Sequence, residues 1–399
     1  MRSVLAIVGA AVAAFAVASA HRAQQLQAGA VPTTFRHATD PNLRLVPNGD
    51  AADYPPIVGL SFVGRGFDVT GANFTRVVGH GFSHPLGQVV DITYGTYGYT
   101  MTWTNPQNQV TYKVPDAMLA MTLDVSDRTN ATTTFTGFMD VQIWAEHTVS
   151  WTSGFLGMDS HSRTTYDFVG RFFSQDESLS RSEFQIRFLK LAAPPPAPLS
   201  AGFKLSVMGL PETCCDDPAG LTIFQDFFDS FGQAYTQEAD LGGVLRGETW
   251  FAKCLITEKS VHWVTEQSSW SFLGIIGGGH GSSSSNAHIS PAFNACYTAT
   301  QEYAGGDPTG LRPNQYDAWV PTTYSDPWPV KATVAPLWQL VEQAMGKGAR
   351  SEALKNATNY VLLQSQLGLN KTAAAAAAHD PHHEQQCCRI ARQEQAAVP

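Results

Sequence analysis

"FQDFFDSFGQAY", Phe224 to Tyr235, followed at a short interval by "LGG", Leu241 to Gly243, is the stretch on which the reading of the whole chain turns. Phe224, Phe227, Phe228 and Phe231 recur at i, i+3, i+4 and i+7, so a helix gathers four rings into one stripe that has to be buried. Asp217 before Pro218 supplies an N-cap with proline at the first helical position, and Gly232 supplies a stop. A core helix is the simplest account of such a stripe.

Downstream, "SSWSFLGIIGGGHGSSSSNAHIS", Ser268 to Ser290, passes from bulky apolar residues into glycine and serine without a charged residue. It resembles a ligand loop only superficially. A Walker loop ends in Gly-Lys-Ser/Thr, and no lysine follows Gly277 to Gly281. A dinucleotide fingerprint needs glycine where Ser282 stands, and none of Ser282 to Ser285 lies in G-x-S-x-G. His280 and His288 near serines have no nucleophile motif behind them, so no catalytic residue, cofactor or metal is expected and the chain is not read as an enzyme.

A period of two remains. Trp270, Phe272 and Ile276 share one parity, and Ala287, Ile289, Phe293 and Ala295 share another against His288, Ser290 and Asn294. Farther upstream Val141, Ile143, Ala145, Val149, Trp151 and Phe155 alternate with polar residues, as do Tyr166, Phe168, Gly170 and Phe172 with Asp167, Val169 and Arg171. One apolar and one polar face suits a membrane β-barrel strand, and a half-buried strand of a soluble sheet reads the same way.

Before the helix, "PIVGLSF", "QVVDITY", "YTMTW", "FMDVQIW", "SEFQIRFLKL" and "FKLSVMGL" read as short strands between Gly, Pro, Asn and Asp clusters. "AAPPPAPLSA" reads as a rigid surface connection. After the helix, Pro329 to Gly346 and Ser351 to Leu369 read as helices, with Leu337, Leu340, Val341 and Ala344 on one face of the first.

The chain's ends read differently. "MRSVLAIVGAAVAAFAVASA" has a basic start, an apolar run and an Ala18-Ser19-Ala20 ending, which describes a signal peptide over 1–20. A polar linker is expected over 21–53. The last stretch, "KTAAAAAAHDPHHEQQCCRIARQEQAAVP", is low in complexity, and its His and Cys residues match no standard zinc spacing. The 399 residues are 43% hydrophobic and carry a formal charge of -9, which provides a sizeable core and argues against nucleic acid as a partner.

Secretion favours disulfides among Cys214, Cys215, Cys254, Cys296, Cys387 and Cys388, which lack C-x-x-C spacing. It also makes Asn73, Asn130, Asn356 and Asn370 glycan acceptor candidates.

The aromatic helix with its Gly-Gly pair resembles the signature of the membrane-attack-complex/perforin family. That signature is an aromatic, two residues, Phe-Phe, two residues, aromatic-Gly-Thr-His-aromatic, then Gly-Gly. Gln233 and Ala234 stand where the family usually has Thr-His. "VGRGFDV" at Val63 to Val69 resembles the domain's opening, "RFLKLAAPPPAPLSAGFKLSVMGLP" the approach to the signature, and "YAGGDPTG" with "YDAWVPTTYSDPWPVKATVAPLWQLVE" its closing section. The resemblance covers residues 54–346 and leaves 347–399 as a helical and low-complexity tail.

The resemblance implies an α+β fold, a bent, twisted antiparallel β-sheet flanked by two helical clusters, placed here at about Val141 to Asp176 and Leu255 to Ala295. It implies a homo-oligomeric ring on a target membrane, bound through lipid or a receptor, in which each cluster refolds into an amphipathic β-hairpin. Trp151, Phe155, Tyr166, Phe168 and Phe172 would face lipid in the first hairpin, and Trp270, Phe272, Ile276, Ile289 and Phe293 in the second. Gly242 and Gly243 would mark the sheet bend. "GIIGGGHGSSSS" would be the second tip, with each arm about 65 Å long at about 3.3 Å per residue. A Cys254–Cys296 disulfide would then close that hairpin's base.

Target recognition would fall to loops of the domain, to the tail, or to a companion protein. A non-lytic extracellular binding or developmental role is the other reading, motivated by Asp159, Arg163, Asp167 and Arg171 in the first cluster.

Overall fold

The computed structural model describes residues 40–70, 86–125, 129–136, 149–151, 177–215, 218–276, 289–307, 309, 316–372, 386–390 and 392–393. Within them, β1 (Leu43–Pro47), β3 (Tyr99–Thr104) and β4 (Thr111–Val114) form a small antiparallel sheet. An eight-stranded sheet is built around two long strands, β8 (Glu177–Ala192) and β9 (Ala234–Ala252), paired antiparallel along nearly their whole length.

The partners of those two strands change partway along. The far edge of β8 pairs with β5 (Leu119–Thr122) at Leu189 to Ala192 and with β6 (Thr129–Phe135) at Leu179 to Gln185. On β9, β11 (Trp328–Pro336) pairs as far as Gly242, and β10 (Tyr297–Ala304) pairs from Val244 onward. β2 (Gly66–Phe67) adds to the start of β9. β7 (Val149–Trp151) joins β11 in parallel, the exception in an otherwise antiparallel sheet.

Helices cover this sheet. They are α1 (Ala201–Met208), α2 (Pro218–Phe231), α3 (Cys254–Glu258), α4 (Val261–Ile276), α5 (Pro291–Asn294), α6 (Tyr316–Trp319), α7 (Leu337–Met345) and α8 (Ala349–Thr372). The main core joins Trp103, Phe188, Tyr235 and Leu241 of the sheets to Phe203, Phe224, Phe227 and Phe228 of the helices. The mixed α+β architecture expected from the sequence is thus observed.

Several local expectations are corrected. "PIVGLSF" and "QVVDITY" hold only isolated bridges, at Pro56, Gln88 and Val90, and form no extended strand. "FKLSVMGL" is helical: Phe203 and Val207, four apart, are buried together, and the Ser200 hydroxyl caps the helix by accepting from Phe203 N at 3.3 Å. Pro329 to Pro336 is strand, because Val330, Ala332 and Val334 alternate inward, and the helix begins only at Leu337. Of the apolar face expected on that helix, Leu337, Leu340 and Val341 are buried and Ala344 is exposed.

The expected linker over 21–53 contains β1, which pairs with β3 from Leu43 opposite Trp103 to Pro47 opposite Tyr99. Asp40 anchors its start by accepting from Asn42 N at 2.9 Å and from Thr122 N on β5. Five residues cannot announce such a strand locally, since it exists only because β3 offers an edge.

Candidate functional site

The aromatic helix carries its stripe as expected. Phe224, Phe227 and Phe228 are buried, while Phe231 at the last turn is half-buried. Phe203 of α1 completes the cluster, with ring centroids 5.7 Å from Phe227 and 5.1 Å from Phe231. Gly232 ends the helix at φ +72°, its N–H donating to Phe228 O at 2.7 Å, and an added Cβ would overlap the Phe67 carbonyl. The expected cap at Asp217 lies outside the described residues.

The two departures from the family pattern have their own structural roles. Gln233 is buried; its Oε1 accepts from Val69 N at 2.9 Å and its carbonyl accepts from Leu337 N at 3.1 Å, so it ties the strand-β2 segment to the start of α7. Ala234 is fully enclosed as the first residue of β9. Tyr235 beside it is buried too, and burial pushes its phenol well above the usual range.

Gly242 and Gly243 stand where β9 changes partner. Register shifts occur between Arg187 and Leu189 on β8 and between Pro329 and Lys331 on β11, one on each side of Leu241 and Gly242. Such bulges bend and twist a strand. A Cβ on Gly242 would run into the Ile186 carbonyl, and one on Gly243 would lie 2.6 Å from Thr323 Cγ2 and 2.8 Å from Trp319 Cη2.

Beyond this point the two faces of β8 and β9 differ sharply. On one, Arg181 pairs with Glu248 at 2.6 Å and Glu183 with Arg246, each directly across the strands. Both arginines are buried, and burial lowers the pKa of Arg181 although Glu248 opposes the shift. Nearer the bulge, Arg187 meets Asp240 at 3.1 Å and Lys190 meets Glu238 at 2.6 Å and Asp240 at 3.3 Å. Burial opposes the charge on Lys190, but Asp240 and Glu238 together raise its pKa.

The opposite face carries hydroxyls and supports α4. Thr132 bonds Ser182 at 2.8 Å, Thr134 bonds Ser180 at 2.6 Å, and Thr134 also bonds Thr265 of α4 at 2.5 Å. Phe272 lies over Gly247. Among the described side chains of α4, Val264, Gln267, Ser268, Ser271 and Phe272 are buried, and among the described residues the hydroxyl of Ser268 has no hydrogen-bond partner. Three of these five are polar, so hydrophobic burial stabilises this part of the helix only modestly.

Of the residues expected in the second hairpin, Trp270, Phe272, Ile276 and Phe293 are helical and Ile289 is in a bend. Trp270 and Phe272 are on α4, half-buried and buried respectively, and Ile276 is its last residue. Ile289 packs partly buried on the cluster formed by Phe251, Leu255, Val264 and Phe293. Phe293 of α5 stacks on Tyr297 at 5.0 Å and meets Trp263 edge-on at 5.8 Å. Of the first hairpin, Trp151 is in β7, whereas Phe155, Tyr166, Phe168 and Phe172 lie outside the described residues, as does most of "GIIGGGHGSSSS".

The cysteines pair differently from the expectation. Cys254 is bonded to Cys388, 134 residues away, and not to Cys296. Cys296 is a buried thiol beside that of Cys387, and Cys214 is bonded to its neighbour Cys215. The physical reason is that residues 386–390 form a helical turn against the ends of the second segment, which brings Cys388 to Cys254. Nothing in local spacing signals that approach.

Among the sequons, Asn356 is exposed on α8. Asn130 is on β6 and Asn370 near the end of α8, with side chains outside the described residues, and Asn73 lies wholly outside them. Among the described residues no helix is long and apolar enough to cross a membrane.

This arrangement has known relatives. GNIP1Aa from Chromobacterium piscinae superposes with a TM-score of 0.55 at 17% identity, over 78% of this chain and 57% of that one. The chain therefore spans little more than half the length of that protein. A MAC/Perforin-domain protein of Bacteroides thetaiotaomicron gives a TM-score of 0.44 at 8% identity, over 80% and 65% of the two chains. Astrotactin-2, a vertebrate-specific perforin-like membrane protein, gives 0.41 at 15% identity, over 76% and 99%. No curated protein sequence matches. The MAC/Perforin domain profile matches residues 48–366, most of the chain and every strand of the eight-stranded sheet, and this chain belongs to the MAC/Perforin family.

Proposed function

We propose that this is a secreted pore-forming protein that oligomerises on a target membrane and inserts two amphipathic β-hairpins per subunit into a large barrel. The observation that carries the reading is a match of phase. On β8, Arg181 and Glu183 occupy the charged face. Extending that strand backwards without a bulge gives Asp167, Arg171 and Gln175 the same parity, and gives Tyr166, Phe168 and Phe172 the other, with Val169 and Phe173 as exceptions.

β10 repeats the match independently. Thr298 and Thr300 lie opposite Trp250 and Glu248, on the charged face. Extension towards the N-terminus gives Asn294, Ser290 and His288 that parity, and gives Phe293, Ile289 and Ala287 the opposite one. A barrel strand needs this separation, with charge on the lumen side and apolar residues on the lipid side.

The other two arms need a correction of one residue. Extending β9 brings Glu258, His262 and Glu266 to the charged face, but also Trp270 and Phe272. A bulge between Glu266 and Trp270 would restore the phase. The β6 arm needs a similar shift before Val141. In the soluble form α4 of the second segment rests on the polar underside described above, and burial of the segments' apolar faces in lipid, with closure of inter-strand hydrogen bonds, drives the transition.

In this reading Gly242 and Gly243 allow the sheet to open, the membrane partner is a lipid or a receptor, a companion protein can supply targeting, and a glycan on Asn356 is sterically admissible. The test is dye release from liposomes of several compositions, using protein from His21 onward, with the vesicles imaged for rings. Leakage with rings supports the reading. Absence of both on every composition and on target-cell membranes favours a non-lytic extracellular binding role. Environment-sensitive labels at 167 and 168 check the faces: lipid exposure at 167 with water exposure at 168 contradicts the assignment.

A further inference from the structure

Residues 386–390 and Arg392 touch both ends of the second segment. β9 ends at Ala252 and β10 begins at Tyr297, so Cys254 and Cys296 stand just inside the two points where the segment leaves the sheet. Cys388 is bonded to Cys254 at the first of these points. Its neighbour Cys387 is buried at the second, where its Sγ lies 3.9 Å from the Ala295 carbonyl, as donor, and shares a hydrogen bond with Cys296. A third contact follows, from Arg392 Nε to Glu258 Oε1 on α3 at 2.8 Å.

The apolar cluster beneath is shared by the same three pieces of chain. Cys387 packs with Phe251 and Ala252 from β9, Leu255 and Val264 from α3 and α4, and Phe293 and Cys296 from the return. For the segment to continue β9 and β10 as a hairpin, residues 253–256 and 293–296 must straighten into strands. Cys387 occupies the junction they would use.

We propose that residues 386–390, with Arg392, are a reducible latch that holds the second segment in its helical form, released by thiol–disulfide exchange with a dithiol reductant. Its link to membrane insertion rests on the pore-forming reading, whereas its effect on α3 and α4 does not.

The exchange balances as follows. One thiolate of the reductant attacks Cys388 Sγ, breaking the Cys254–Cys388 bond and leaving Cys254 as a thiolate that takes up a proton. The second reductant thiol then attacks the mixed disulfide, so the reductant leaves as an intramolecular disulfide and Cys388 as a thiol. Two electrons pass to the protein, which ends with two new S–H groups. Cys254 and Cys388 are half-buried and open to attack, while Cys296 and Cys387 are buried. Burial, with Cys387 as hydrogen-bond partner, raises the Cys296 pKa far above that of an ordinary thiol. Cys296 is therefore a poor internal nucleophile, and the latch does not scramble spontaneously.

Three measurements test this. Peptide mapping of the secreted protein should recover a Cys254–Cys388 crosslink, and a Cys254–Cys296 crosslink in its place would overturn the proposal. Hydrogen exchange would then compare wild type with the C254S/C388S double variant. Amides of 255–276 should exchange at least about ten-fold faster in the variant, with those of α2 and α7 unchanged, because only local opening is released. Equal exchange at 255–276 in both proteins also overturns it.

Liposome leakage is measured on the same two proteins. Faster leakage from the variant supports the latch as a gate, and equal leakage rates reject it as one. If neither protein leaks on any membrane while exchange is still raised, the pore-forming reading fails and the latch stands.

Discussion

Gly242 on β9 rests directly against the carbonyl of Ile186 on β8, leaving no room for a side chain between the two long strands at the point where the sheet changes partners. The neighbouring register shifts on β8 and β11 are built around this contact. Gly242→Ala should destabilise the protein by about 1–3 kcal/mol through overpacking against backbone that cannot swing aside. Gly348→Ala, with nothing within 4 Å of the added Cβ, should stay within about 0.5 kcal/mol of wild type. Denaturant unfolding of the two variants checks the difference.

The aromatic stripe is graded. Phe228 is 4% exposed, whereas Phe231 is only half-buried at the helix end. Phe228→Ala should cost about 3–5 kcal/mol, and Phe231→Ala clearly less. Equal losses in thermal or chemical unfolding would show that the stripe is not anchored at its N-terminal end.

Arg246 and Glu183 form a buried pair whose members have no water to fall back on. Arg246→Ala should cost about 3–5 kcal/mol because Glu183 is left buried without its counter-ion, keeping only the hydrogen bond from Gln185 Nε2 at 2.9 Å. Replacing both residues together, R246M with E183L, should recover most of that loss, and a double-variant cycle in urea gives the comparison.

Ser268 on α4 buries a hydroxyl that has no hydrogen-bond partner among the described residues. Ser268→Ala should therefore raise stability by about 1 kcal/mol, since it removes a desolvated polar group and adds a better helix former. If release of α4 limits insertion, the same variant should leak liposomes more slowly. Faster leakage from a more stable protein would separate α4 release from pore opening.

Alkaline stability follows from Tyr235 and Lys190, whose pKa values are both raised in the folded protein. A raised value means that the native state keeps its proton after the unfolded chain has lost it. Each group's contribution is complete below its unfolded pKa, near about 10 for Tyr and 10.4 for Lys, and is lost as pH rises through the folded value. Tyr235→Phe removes one such group, so its stability should fall less steeply between about pH 10 and 11.5, by up to about 1.4 kcal/mol per pH unit. Urea midpoints measured across that range would reveal an unchanged slope if the phenol titrates normally.

Much of the fold was legible in the residues. The i, i+3, i+4, i+7 spacing of Phe224, Phe227, Phe228 and Phe231 specified a helix and its buried face, because that periodicity is a property of the helix itself. Gly232 was legible as a helix stop and Gly242 through the resemblance of the Gly-Gly pair to the family signature, while the backbone contacts with Phe67 and Ile186 that leave room only for glycine belong to the fold. The strand at 182–191 and the polar and apolar alternation of 166–172 and 287–295 were equally local.

Tertiary structure decided the rest. "FKLSVMGL" alternates well enough for a strand, yet the pocket beside α2 takes Phe203 and Val207 from one side and makes it a helix. Trp270, Phe272 and Ile276 share a barrel strand's parity and are helical here, because Thr134, Ser180 and Gly247 present a surface that accepts a helix. The partner of Cys254 depended on where residues 386–390 come to rest. Sequence by itself determined the periodicities, since these arise within a few residues. Only the folded chain decided which positions admit glycine alone, which faces are covered and which cysteines meet, since those depend on surfaces brought together from separate elements.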